Sequence, residues 1–148
     1  MTRKLFFCGV TLVVFIFSIA GATAGPVPSL TTAPTGFTCS VGTDSVVCTW
    51  DQLEGANKYS VDVVANYTLN DGVTTASADF DFGTEMLEIT IPLDAFPPDI
   101  NGDTLPDNLT GLVLRVKGLN PPGKKDYNQN TPFSSSIVCN GGGCAPLM

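Results

Sequence analysis

The chain has no histidine. Ser–His and Cys–His nucleophile pairs are therefore excluded, as are metal sites ligated by imidazole. Positive charge is scarce as well: seven Lys and Arg stand against 14 Asp and Glu over 148 residues. A chain this acidic is repelled by nucleic acid and by anionic membrane surfaces. Tryptophan occurs once, at Trp50. Outside the apolar run near the start, no window carries apolar residues at helical spacing, so helical architectures drop out. Only one long apolar run exists, Leu5 to Ala20.

That run follows the basic start Met1-Thr2-Arg3-Lys4 and precedes Ala22-Thr23-Ala24, a small-residue cleavage site before Gly25. This is the layout of a cleavable secretory signal over residues 1–24. The run is shorter than the ~20 apolar residues a membrane anchor needs, so no membrane span is expected after cleavage. Cys8 lies too early to be the lipid-bearing cysteine of a lipoprotein. Removing the segment takes away Arg3, Lys4 and Cys8. It leaves five basic against 14 acidic residues, net −9, and four cysteines. An even cysteine number in an exported chain implies disulfides in an oxidising compartment, extracellular or periplasmic.

Among those four, Cys39 and Cys48 sit in the most informative stretch, Phe37 to Trp50. Folded as a hairpin about Thr43 and Asp44, it sets Phe37 against Trp50, Cys39 against Cys48 and Val41 against Val46, all on one face. Gly42-Thr43-Asp44-Ser45 supplies turn residues where the register needs them. Cross-strand cysteines lie within disulfide reach, which predicts Cys39–Cys48. Cys139 and Cys144 flank Asn140-Gly141-Gly142-Gly143, a segment flexible enough to close a local Cys139–Cys144 bridge; four cysteines allow three connectivities, and a Cys48–Cys139 link to the body is the alternative. Neither pair has a redox Cys-x-x-Cys spacing.

Taken in order, Gly25 to Ala33 is a Pro/Thr-rich extended leader, and a single domain occupies 34–138. After the hairpin, Lys58 to Val64 alternates as a third strand. Asn70-Asp71-Gly72 is a turn signal. Ser77–Phe82, Leu87–Leu93, Leu112–Lys117 and Phe133–Val138 complete seven short strands. Residues 139–148 form a Gly/Cys-rich tail. Such spacing predicts an all-β fold, a seven-stranded antiparallel β-sandwich. Its expected core is Phe37, Trp50, Tyr59, Val61, Val63, Phe80, Ile89, Ile91, Leu114 and Val116.

The early Pro, Trp50, the strand Gly55-Ala56-Asn57-Lys58-Tyr59-Ser60-Val61-Asp62-Val63 and the stretch Leu114-Arg115-Val116-Lys117-Gly118-Leu119-Asn120 together resemble a fibronectin type III domain, within the immunoglobulin-like sandwiches. The likeness spans about residues 28–138. It departs from that family at Leu112, where a tyrosine usually forms the corner hydrogen bond. A second departure is the hairpin disulfide. Cys39-x8-Cys48-Thr49-Trp50 is similar to the first domain of class I cytokine receptors, but their Trp-Ser-x-Trp-Ser signature is absent. With no histidine, cysteines expected to be paired and carboxylates on solvent faces, an extracellular binding module is expected rather than an enzyme.

Three candidate sites remain. Asp99, Asn101, Asp103 and Asp107, with the Leu105 carbonyl between, place oxygens at positions 1, 3, 5, 7 and 9 of a loop, a spacing that suits Ca²⁺. Position 12 is Thr110 and no helices flank the loop, so it is not an EF-hand. Calcium is the one cofactor this sequence offers. Asp62, Asp79 and Asp81 face away from the core. Catalytic carboxylate pairs need a cleft, so these are read as solvent-facing charges. Lys124, Lys125 and Tyr127 in the polar loop Asn120–Pro132 combine scarce cations with a tyrosine where sandwiches carry recognition. They are expected to contact a protein or glycan partner, the alternative being a spacer or self-assembling module. Asn66-Tyr67-Thr68 and Asn108-Leu109-Thr110 are glycosylation sequons.

Overall fold

The structure, a computed structural model, describes residues 30–119 and 130–148. The signal segment, the first residues of the leader and the trio Lys124, Lys125 and Tyr127 lie outside the described residues. Eight strands follow in order: β1 Thr38–Val41, β2 Ser45–Thr49, β3 Lys58–Thr68, β4 Thr75–Thr84, β5 Glu88–Pro92, β6 Asn108–Leu119, β7 Ile137–Asn140 and β8 Gly143–Pro146. A single 3₁₀ turn, Leu93–Ala95, interrupts them. All pairings are antiparallel, in a three-stranded sheet β1-β2-β5 and a five-stranded sheet β4-β3-β6-β7-β8.

The opening hairpin has the expected register. Cys39 pairs with Cys48 and Val41 with Val46, and the disulfide joins the first pair. Phe37 and Trp50 flank it with ring centroids 6.3 Å apart, and Trp50 packs on Tyr59 at 5.4 Å. Strand alternation then carries the core onward. Tyr59, Val61, Val63, Ala65 and Tyr67 of β3 are buried, as are Leu112, Leu114 and Val116 of β6. Two expected core residues, Phe80 and Ile89, are only partly buried and pack against this cluster from its border.

The strand number is eight rather than seven. Residues 139–148, expected as a tail, finish β7 and form β8, with Cys139 paired to Cys144 and bridged to it. Four-residue strands that contain Gly and Pro leave too short an alternation to detect. Gly143 has φ +118°, a conformation that L side chains rarely adopt, and it opens β8 after the glycine turn. β6 also begins earlier than its alternation indicates. A register shift between Asn66 and Tyr67 leaves Thr110 unpaired between Gly111 and Leu109, and that bulge breaks period two.

The two sheets meet differently along their two sides. β1 lies against β7 and β8, and the tips Gly42–Thr43 and Asn140–Gly143 line one shallow groove. On the other side, Phe80 and Phe82 of β4 reach over Phe96, edge-on, with centroids at 5.1 and 6.1 Å. Phe96 is buried at 5 % exposure and closes the core there. Outside that aromatic contact, β4 is paired only through β3, so its outer edge has no partner strand among the described residues.

Candidate functional site

Alternation on β4 sends Ala78, Phe80 and Phe82 inward and leaves Asp79 and Asp81 exposed on the outer face of the five-stranded sheet. β3 brings Asp62 directly opposite Asp81 and Val64 opposite Asp79. β6 adds Arg115 opposite Asp62 and Lys117 opposite Ser60. The result is a band of charge across three strands. Lys117 Nζ lies 3.2 Å from Asp62 Oδ1 and Arg115 Nη2 lies 3.7 Å from Asp62 Oδ2. The buried Ser60 hydroxyl bonds Asp81 Oδ1 at 2.5 Å and reaches Asp62 Oδ1 at 3.1 Å. Phe133 covers both cations, 3.9 Å from the Arg115 guanidinium and 4.8 Å from Lys117 Nζ. The Asp62 and Phe133 contacts hold the two cations of β6 in place.

Charge is therefore unevenly satisfied. The three described cations are Lys58, Arg115 and Lys117. Lys58 pairs with Glu85 at 3.0 Å and the other two with Asp62. No described cation pairs with Asp79 or Asp81. A groove of about 350 Å³ runs between them and is lined by Asp62, Val64, Asp79, Asp81 and Arg115. It is shallow, and it holds no nucleophile beside a base.

The Asp99–Asp107 loop is built from its own backbone. Asp99 accepts from the Gly102 and Thr104 amides through Oδ1 and Oδ2, at 2.7 and 2.8 Å. These bonds hold Thr104 at φ +71°, a left-handed conformation costly for a β-branched residue. Asp103 accepts from the Leu105 amide at 2.9 Å and from the side-chain amides of Asn70 and Asn101 at 2.5 and 3.0 Å. These bonds, the Leu105 amide foremost, hold its carboxyl below the usual carboxylate value. Asp107 is buried, and it receives the Asn70 amide on Oδ1 and the Ile100 amide on Oδ2, both at 3.0 Å. Asn101 Oδ1 accepts the Asp103 amide. The four oxygen-bearing side chains thus tie the loop to itself and to the β3–β4 turn. Among the described residues no group of three or more His, Cys, Asp or Glu is placed to hold a metal ion.

That turn uses the same chemistry. Asp71 accepts from the Thr74 hydroxyl and from the amides of Val73 and Thr74, which lowers its pKa. Nearby, the Tyr67 hydroxyl is buried without a hydrogen-bond partner among the described residues. Burial first, and the Asp107 charge second, raise its pKa.

The polar loop at 120–132 is described only from Asn130. Its return is hooked to β6: Thr131 Oγ1 accepts the Gly118 amide at 2.8 Å, the Thr131 amide donates to Gly118, and Ser134 does the same with Val116. Of the sequons, Asn108 is exposed at the start of β6 whereas Asn66 lies half-buried within β3. The open β4 edge had no signal in the linear sequence, because only the sheet order reveals which strands end a sheet, here β4 and β8 in one and β1 and β5 in the other.

The fold and its bonds define a two-sheet antiparallel β-sandwich stapled by two disulfides, which fits an oxidising environment. No known family model matches the chain, and no curated protein matches it either. Among the described residues no helix is long and apolar enough to cross a membrane.

Proposed function

We propose that the chain is a secreted, non-enzymatic module of the fibronectin type III kind that recognises another protein outside the cell or in the periplasm. The observation that carries this is the β4 border: a ten-residue strand, paired on one side only, bearing two exposed carboxylates that no described cation neutralises. The sheet order supports the family likeness, since the first, second and fifth strands form one sheet and the third, fourth, sixth and seventh lie in the other. Absence of histidine and engagement of Cys39, Cys48, Cys139 and Cys144 in disulfides argue against nucleophilic catalysis. A protein is favoured over a glycan because no aromatic side chain among the described residues is exposed for stacking on a sugar.

The test is affinity capture on the immobilised protein from extracellular or envelope material, using the natural chain, D79N/D81N and K124A/K125A/Y127A. Recognition predicts a saturable partner whose recovery falls with one of the two variants. Equal recovery on all three moves the contact elsewhere. No saturable partner on any of them overturns recognition in favour of a spacer.

A further inference from the structure

The β4 border supports a sharper statement about what it takes, and that statement rests on the recognition reading above. In an antiparallel pair, every second residue of an edge strand points its amide and carbonyl outward. β4 offers such a row over Thr75–Thr84, and no described residue bonds to it from outside. Unpaired rows of this kind accept a further strand unless something repels it.

A second copy of the chain is repelled. Residues opposite one another across a two-fold antiparallel pair lie on the same face. The two registers that keep nearly the whole of β4 paired with its copy set Asp79 against Asp79, or Asp79 against Asp81. Like charges directly opposite destabilise a sheet. Asp62, on the next strand inward and opposite Asp81, is already neutralised by Lys117 and Arg115. Those cations are clamped under Phe133 on β6, two strands away from the edge. Arg115 lines the same groove as Asp79 and Asp81, but it and Lys117 pair with Asp62, and neither forms an ion pair on β4.

The same carboxylates favour a different visitor. A strand that carries Lys or Arg at every second position places those cations across from Asp79 and Asp81 on the outer face. Its alternate side chains fall on the inner face, beside Ala78, Phe80 and Phe82, which are only partly buried and border the core. We infer that the β4 edge is a strand-addition site for an extended basic segment of another protein. Main-chain bonds supply adhesion, and the Asp79/Asp81 pair selects positive charge and excludes self-pairing.

Defined peptides test this without knowledge of the natural partner. The probe is a labelled ten-residue peptide alternating lysine and threonine, with blocked ends, titrated against the full chain by fluorescence anisotropy at low salt. Two versions N-methylated on alternate residues retain its charge but lose one row of amides each. A glutamate–threonine peptide is the charge control. The lysine peptide should bind, the glutamate peptide should not, and D79N/D81N should weaken binding by about fivefold. One N-methylated version, the one whose methyls face β4, should lose about tenfold or more. Hydrogen exchange should slow within residues 75–84 and not in β1 or β8. Equal binding by both N-methylated peptides would reduce the effect to charge attraction and overturn strand addition, whether or not D79N/D81N folds. Absence of lysine-peptide binding, or protection of another edge, overturns it too. If peptides fail while the affinity capture yields a partner, recognition stands and this edge is wrong. If peptides bind while no partner is captured, the edge chemistry stands and recognition falls.

Discussion

Along β1, β7 and β8 the strands at the meeting of the two sheets are cross-linked by sulfur, each bridge within its own sheet. Two hairpins lie side by side there, and each is bridged across its directly paired residues, Cys39 to Cys48 and Cys139 to Cys144. Along β4 there is no covalent link. That side is closed inside by Phe80, Phe82 and Phe96. At its turn, carboxylates of Asp71, Asp103 and Asp107 grip backbone and side-chain amides. The clasped side therefore responds to reductant and the open side to acid. If β4 takes a further strand as proposed, its border has to stay unpaired in the sheet plane. The covalent cross-links lie within the two hairpins that meet on one side, and β4 carries none.

The comparison breaks most easily at Phe96. If aromatic packing closes the open side, Phe96→Ala should cost roughly 3–5 kcal/mol, the range for a buried aromatic deleted from a core. Urea unfolding of the oxidised protein measures it. A loss well under 1 kcal/mol would mean that β4 is held by its ladder to β3 alone.

The clasps come next. Loop closure in the unfolded chain depends weakly on length, so a nine-residue and a five-residue separation differ little. C39A/C48A and C139A/C144A should each cost roughly 2–3 kcal/mol in the same assay, the first slightly more. Overlaid curves for either variant would remove that bridge from the account. The exchange rates of β4 amides should change less than those of the affected hairpin, which sharpens the contrast between sides.

How much of this was readable beforehand follows the same division. The Phe37–Trp50 hairpin could be read to the residue because its strands alternate without interruption and its turn residues stand at the midpoint. The same register gave Cys39–Cys48, whereas Cys139–Cys144 belonged to one of the three connectivities four cysteines allow and rests on the β7–β8 pairing. β8 and the first residues of β6 were not readable. Glycines and Pro146 conceal the one, and the bulge at Thr110 shifts the other out of phase. The Asp99–Asp107 loop shows a different limit. Oxygens at alternate positions suit a cation, and they equally suit turns in which each carboxylate holds an amide two to five residues on. Spacing alone is the same in both. Sheet order, and with it the open edge, depends on contacts between residues far apart in sequence, and no local pattern encodes it.

The smallest expected effect is the most specific to the open side, since it concerns two surface carboxylates. Asp71 is held below its ordinary value of 3.8 by the Thr74 hydroxyl and then by the Val73 and Thr74 amides. Asp103 is held below the same value by the Leu105 amide, then by Asn70. A carboxylate whose pKa is lower folded than unfolded contributes stability that is complete above the unfolded value. That contribution is lost as pH falls through the folded one. The window thus opens near 3.8 and extends downward, and nothing should change between neutrality and about pH 5. Carboxyl-carbon titration by NMR should give midpoints below 3.8 for both residues. Across the same window, exchange protection of the Val73, Thr74 and Leu105 amides should fall, because protonation withdraws their acceptors. Amides in the two bridged hairpins should keep theirs, since a disulfide does not titrate. Midpoints at or above 3.8, or simultaneous loss of protection on both sides, would show that the carboxylates do not hold the open side separately from the clasped one.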